Sequence, residues 1–263
     1  MWGGIVFSCL VVGASTLLAV AGLLLVRRFV DHAYLKSHHE VAGYLLSVIG
    51  TLYAVLLAFV VVDAQSNVQQ ARQNAEAEAN SVVDIFHYAG WFPDKTRQAV
   101  RALCLEYVTA VVDEEWEAME AFRHSPKAAT RLHHLWQTVR QYEPGTEGQK
   151  AAYAAMLAEI GELGDARRDR LLANRNGVSP LLWSVIVAGG VLTIVFTYFF
   201  GLDNLASQVL MTALVAITLS LNIFLVAAYT YPFAGDFKIS PDAFLFDQFI
   251  FKELMKADMA APG

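Results

Sequence analysis

Residues 52–79 read LYAVLLAFVVVDAQSNVQQARQNAEAEA. Leu52 to Val62 is wholly apolar, while Gln, Asn, Ala and Glu dominate from Asp63 onward. No glycine or proline occurs between Thr51 and Ala89, so one helix can leave the bilayer without a break. At 1.5 Å per residue such a rod extends about 60 Å. It is either a stalk under a soluble domain or the wall of a pore that continues past the membrane.

Outward from this stretch the chain is apolar in long runs. A spanning helix asks for about 20 apolar residues. Trp2 to Val26, Val41 to Val62, Pro180 to Phe200 and Leu205 to Thr230 all meet that length. The first run is too long for a signal-peptide core and lacks a cleavage site of small residues, which reads it as a retained span. Four spans put both termini and the segment from Asp63 to Ser179 on one side. Arg27 to Glu40 and the turn Gly201 to Asn204 fall on the other.

Arg72, Arg167, Arg168, Arg170, Arg175 and Lys238 flank the larger side, against Arg27, Arg28 and Lys36 in the first loop. The positive-inside count therefore places the larger side and both termini in the cytoplasm, for a multi-pass protein of the cell inner membrane. The expected organisation is residues 1–62 as spans one and two, 63–179 as a helical cytoplasmic region, 180–230 as spans three and four, and 231–263 as a cytoplasmic tail.

The composition agrees with a membrane class. Of the residues, 56% are hydrophobic and 17% charged, below the quarter or so of an ordinary soluble domain. The net charge is −6, which leaves no basic footprint for nucleic acid. Cys9 and Cys104 are far apart and form no metal or redox spacing.

Beyond the membrane, Val68, Ala71, Ala75, Ala79, Val82 and Phe86 recur at three and four residues, one stripe on a helix. A stripe of alanines implies a close neighbour, either within its own subunit or round an axis of copies. The pattern breaks at Gly90-Trp91-Phe92-Pro93, where Asp94 reads as an N-cap of a helix to about Phe122. Its apolar face is Val100, Leu103, Cys104, Tyr107, Val111 and Met119. Asp113, Glu114, Glu115, Glu117 and Glu120 read as its solvated acidic face. Further helices are expected from Pro126 to Gln141 and from Thr146 to Ala173. No strand-like alternation is sustained, so the fold class is an all-α integral membrane protein.

Catalytic motifs are missing: no HExxH, GxSxG, P-loop or dinucleotide fingerprint occurs. His32, His38 and His39 share the first loop with Asp31 and Glu40, and His133 and His134 are adjacent on a helix; neither group reads as a metal site. No enzyme activity and no cofactor are expected. The informative groups lie at membrane depth. Gly43, Ser47, Gly50, Thr51, Ala54 and Ala58 form a small-residue face on span two, suited either to close helix packing or to a narrow pore. Asp63 ends that span and, repeated by symmetry, would make an acidic ring that attracts cations. Asn222, deep in span four, is expected to bond a neighbouring helix.

Four stretches, taken in order, carry a resemblance: SVIGTLYAVLLAF from Ser47, EYVTAVVDEEW from Glu106, RDRLLANRNGVSPLLW from Arg168 and YPFAGDFKISPDAF from Tyr231. Together they resemble a bacterial bestrophin-like membrane-protein family, and more distantly the bestrophin ion channels. That resemblance implies four spans, a helical cytoplasmic region, a ring of subunits and a pore lined by span two.

The same resemblance implies that Pro232, Phe233, Gly235 and Asp236 match the start of the bestrophin tail, whose acidic cluster helps bind calcium. Here Phe237 and Lys238 stand where further acids would be. Calcium takes about six to eight oxygens, more than Asp236 and Asp242 supply, so no metal site is expected. Phe59 and Tyr53 are the bulky residues that would match the bestrophin pore neck. The expected function is a homo-oligomeric ion channel in the lipid bilayer, cation-preferring through Asp63, with inorganic ions as its cargo. The alternative is a non-conducting scaffold or sensor that docks partners on the acidic face.

Overall fold

The computed structural model describes residues 2–30, 32–175, 177–235 and 237–260. Among the described residues every regular element is a helix: α1 (Trp2–Phe29), α2 (His32–Tyr88), a 3-10 turn (Ala89–Trp91), α3 (Asp94–Ala110), a π-helical turn (Val111–Glu115), α4 (Trp116–Glu120), α5 (Pro126–Arg140), α6 (Glu147–Ala173), α7 (Pro180–Tyr198), α8 (Leu205–Tyr229) and α9 (Asp242–Ala260). Four stretches, Val6–Phe29, Glu40–Trp91, Pro180–Tyr198 and Leu205–Tyr229, are helical and apolar enough to cross a membrane. The fold is that of an all-α membrane protein. It divides into two compact units, residues 1–66 with 177–230 and residues 67–176 with 231–263.

Helix α2 has 57 residues, because nothing in it interrupts the backbone ladder until Gly90. That corresponds to about 85 Å of rod.

In the first unit α1 packs on α8 and α7, and α7 on α8. The contacts use small side chains and single polar handles, as lipid-embedded helices do. Ser15 Oγ lies 2.7 Å from Ser220 Oγ, and the Tyr198 hydroxyl donates to the carbonyl of Ala19 at 2.8 Å. Tyr53 packs flat on α7 at Gly189, where an added Cβ would stand 2.5 Å from the Tyr53 ring. Large apolar side chains such as Leu17, Leu18 and Leu181 are more than 70% exposed, which suits contact with lipid.

The second unit is built around a closed apolar core drawn from α2, α3, α4, α5, α6 and α9. Three local readings change here. Pro93, not Asp94, caps α3: its backbone is extended at φ −57° and ψ 153°, and Asp94 is the first helical residue, paired with Arg97 at 2.6 Å. The helix expected to run to Phe122 widens into a π-turn at Val111–Glu115 and ends at Glu120. Phe122 then takes a left-handed φ of 55°, closing the helix with Arg123 N to Ala118 O at 2.9 Å and Phe122 N to Met119 O at 3.0 Å. Finally, the tail contains α9, which packs on α3 and the π-turn.

Capping explains the other starts. Ser125 accepts from Lys127 N ahead of Pro126, and Thr146 with Gln149 forms a reciprocal capping box. Ser179 caps α7 with Pro180 in its first turn.

Candidate functional site

The face of α2 that carries the small residues is not packed within its own chain. Ser47, Thr51, Ala54 and Ala58 are exposed, and nothing lies within 4 Å of a Cβ built on Gly50. The opposite line, Tyr53, Leu57, Val60 and Ala64, is buried. It meets Ile186 of α7 and Val226 of α8, and the Tyr53 hydroxyl donates to Ile186 O at 2.7 Å. Of the two neck residues implied by resemblance, Tyr53 is thereby removed, while Phe59 remains 72% exposed.

Helical spacing sorts the remaining candidates. Asp63 is exposed, but it follows Ala54 by about two and a half turns at 3.6 residues per turn, which puts it on the other flank. There it shares a line with Leu52 and Phe59. The flank of Ala54 and Ala58 instead continues at matching spacing through Gln65, Gln69, Arg72 and Glu76, all exposed. So the structure does not bring Asp63 onto the stripe of Ser47, Gly50, Thr51, Ala54 and Ala58.

The alanine stripe has the opposite fate. Ala71, Ala75, Ala79, Val82 and Phe86 are buried in the core of their own subunit, which settles the first of the two packings open to them. Asn222 also differs from expectation. Its amide donates to Thr218 O at 2.9 Å, one turn back in the same helix, because the i−4 carbonyl is the nearest acceptor.

Inside that core lies a charge network the sequence reading missed. Arg170 is fully buried and donates through Nε to Glu78 Oε2 at 2.6 Å and through Nη2 to Glu78 Oε1 and Glu115 Oε2, both at 2.8 Å. Arg167 reaches Glu115 Oε1 at 2.5 Å, and the Tyr107 hydroxyl donates to Glu78 Oε1 at 2.6 Å. Two carboxylates and two guanidiniums balance, with the spare lone pairs satisfied, as a buried ionic cluster requires.

Burial alone would raise the Glu115 pKa, but Arg170 and Arg167 outweigh it and hold the carboxyl below its ordinary value. Burial would likewise lower Arg170, yet Glu78 and Glu115 lock its charge in place. Burial, helped by the Glu78 charge, keeps the Tyr107 phenol well above its usual value.

Glu115 is thus not on the solvated acidic face. It lies four residues after Val111, hence on the apolar stripe, and that spacing was the available signal. The rest of the acidic face is dispersed, since Glu114 pairs with Lys127 and Glu120 with Lys238.

The tail motif is seated beside this network. Phe233 is fully buried and stands edge-on to Trp116, whose indole N–H donates to Ile239 O at 3.0 Å. Ile239 N returns to Pro232 O at 2.8 Å, and Gly235 turns the loop at φ +82°, a conformation that favours glycine. Arg170 lies 5.2 Å over Trp116 and 5.8 Å over Phe244, tying tail and network together. Asp236 lies outside the described residues, as do Asp31 and the side chains of His32, His38 and His39. Among the described residues no group of three His, Cys, Asp or Glu is placed to hold a metal ion.

Four lipid-compatible helices joined to a helical unit whose core seats a Pro-Phe tail define a class of membrane protein. Within that class the bestrophin-like domain is matched over residues 13–244. The chain belongs to the bestrophin-like family, whose bestrophin namesakes are ion channels rather than enzymes.

Among solved structures it is similar to a bacterial bestrophin homolog from Klebsiella pneumoniae, at 15% identity and TM-score 0.68 over 98% of this chain and all of that one. A single-substitution variant of that homolog aligns at 12% identity and TM-score 0.69, over 93% of this chain and 98% of that one. A further structure, described only as a membrane protein, aligns at 13% identity and TM-score 0.65, over 96% and 97% of the two chains. No curated protein matches in sequence.

Proposed function

We propose that this protein is the subunit of a homo-oligomeric ion channel whose pathway is lined by one flank of α2. The observation that carries this is the continuous exposed flank Ser47, Thr51, Ala54, Ala58, Gln65, Gln69, Arg72 and Glu76. It is small among four apolar spans and polar beyond them, while the opposite face of the same helix is packed. A helix turned only to lipid has no use for such a flank, since large apolar side chains serve that contact better. A ring of copies would use it as a wet lining.

In this reading the subunits sit in the inner membrane with both termini, residues 63–179 and residues 231–263 in the cytoplasm, following the charge count. Inorganic ions are the cargo. Cation preference would come from Asp63 only if the Phe59 flank, and not the Ala54 flank, turns inward.

Substituted-cysteine accessibility tests the assignment. In a Cys9→Ser background, needed because Cys9 is exposed, Ala54→Cys and Phe59→Cys channels are challenged in planar bilayers with a water-soluble thiol reagent. Block of current through Ala54→Cys alone supports the small flank. Block through Phe59→Cys alone transfers the lining to the Asp63 side. The absence of any current from the well-folded oligomer would reject conduction.

A further inference from the structure

A second feature, within the helical unit, is independent of conduction. An open cleft of about 560 Å³ lies among α5, α6 and the turn after α4. Arg123, Arg167, Arg168 and Arg175 line it, together with Trp136 and Asn174, and no acidic side chain does. Two imidazoles, His124 and His133, add to the rim.

The four arginines are not equally free. Arg167 is held by Glu115, and Arg168 pairs with Asp165 at 2.7 Å. The side chains of Arg123 and Arg175 are exposed and have no ion-pair partner among the described residues. Two unneutralised guanidiniums therefore face a shared space beside a third that is fixed. The left-handed turn at Phe122 locks the backbone that presents Arg123.

Asn174 gives the second, independent sign of a ligand. It lines the cleft and is 2% exposed, and its amide N donates to Met119 O at 2.9 Å. That bond fixes which way the amide points. Its Oδ1 is buried with no donor. A desolvated acceptor without a donor is unfavourable, and a ligand hydroxyl would relieve it.

The ligand must bring several anionic oxygens and one O–H. A carboxylate or sulfate at neutral pH has the oxygens but no donor. Phosphate has both, and its geometry suits the guanidinium fork, which explains arginine rather than lysine at every cationic position but the histidines. Trp136, 38% exposed, supplies an apolar wall for whatever the phosphate is attached to.

We infer that this cleft binds a phosphate group that carries or adjoins a hydroxyl, supplied either as free phosphate or as the headgroup of an anionic glycerophospholipid. Arg175 precedes the first residue of α7 by five positions in the chain, which makes lipid a real source.

The test uses the full-length protein, delipidated in detergent, and follows its thermal midpoint at constant ionic strength. Added inorganic phosphate is expected to raise the midpoint saturably, with sulfate at least tenfold weaker. In parallel, nanodiscs of phosphatidylcholine are compared with nanodiscs containing phosphatidylglycerol. Arg123→Gln with Arg175→Gln should leave the ligand-free midpoint unchanged and weaken the response at least tenfold. Asn174→Asp, which sets a negative charge against the phosphate, should abolish it.

A phosphate response in detergent that the double variant loses identifies the free ion. A phosphatidylglycerol response alone, lost in the same variant, identifies the headgroup. No response to either, or responses equal in wild type and double variant, overturns the inference.

Discussion

Tyr53 and Glu78 lie on the same line of α2, about seven turns apart, and are buried for opposite reasons. Around Tyr53 the helix has apolar neighbours, and the one polar atom, the hydroxyl, is satisfied by a backbone carbonyl of α7. Around Glu78 a full charge is buried, and a guanidinium and a phenol are brought to it. The span unit leaves its apolar surface outward for lipid and holds itself together by close approach. The helical unit closes a core and spends its polar groups on one buried cluster. One helix thus works under two solvents, and what stabilises one half would fail in the other.

The largest effect should come from removing the centre of the cluster. Arg170→Met leaves Glu78 and Glu115 buried without their shared cation and should destabilise the protein by about 3–5 kcal/mol, read by thermal or denaturant unfolding. A wild-type midpoint would show that the helical unit does not depend on charge pairing.

Next is the span half. Gly189→Leu would drive a side chain into the Tyr53 ring and break its bond to Ile186, at a cost of about 1–3 kcal/mol of overpacking. The loss should appear as a lowered midpoint in detergent with the helical unit's acid stability untouched.

A pH profile separates the halves further. Glu115 is held below its ordinary value, so its contribution is present above the usual carboxylate range and is lost as pH falls through its folded value. Asp247 on α9 has the reverse sign. It is 7% exposed, its Oδ2 has no partner, and burial pushes its carboxyl up to about 7. The folded state therefore holds that proton more tightly than the unfolded chain, and stability falls as pH rises from about 4 to about 7. Asp247→Asn should match wild type near pH 4 and exceed it above pH 7. A parallel profile in the variant would mean that Asp247 is not desolvated in solution.

The smallest expected change is in selectivity. On the flank assignment made above, Asp63→Asn should shift the reversal potential under a salt gradient by only a few millivolts, because Asp63 lies off the small-residue line. A large shift would put the Phe59 flank on the axis.

Much of this was readable in the residues. The spans, the unbroken rod, the capping residues Ser125, Thr146 and Ser179, and the family were legible, since hydropathy, helical spacing and breakers are local signals. The fate of the alanine stripe was not, because a line of small residues fits an inner core and an oligomer axis equally well. The Arg170 cluster was hidden for another reason. Charges at Glu78, Glu115, Arg167 and Arg170 read as surface until their faces are known, and only the spacing of Glu115 from Val111 gave it away. Asp63 was misleading because position along a helix was legible while its azimuth was left uncounted. Helix α9 escaped notice because Phe246 and Phe249 leave its outer side as apolar as its inner one.

The widened turn at Val111–Glu115 amounts to one extra residue slipped into an otherwise regular spiral. Delete that residue and everything after it rotates by about 100°. Trp116 would then swing away from Phe233, Met119 would leave the interior, and Glu120 would no longer meet Lys238. The seat of the C-terminal segment thus depends on a length mismatch of a single amino acid, a register device that side-chain substitution alone could not reproduce.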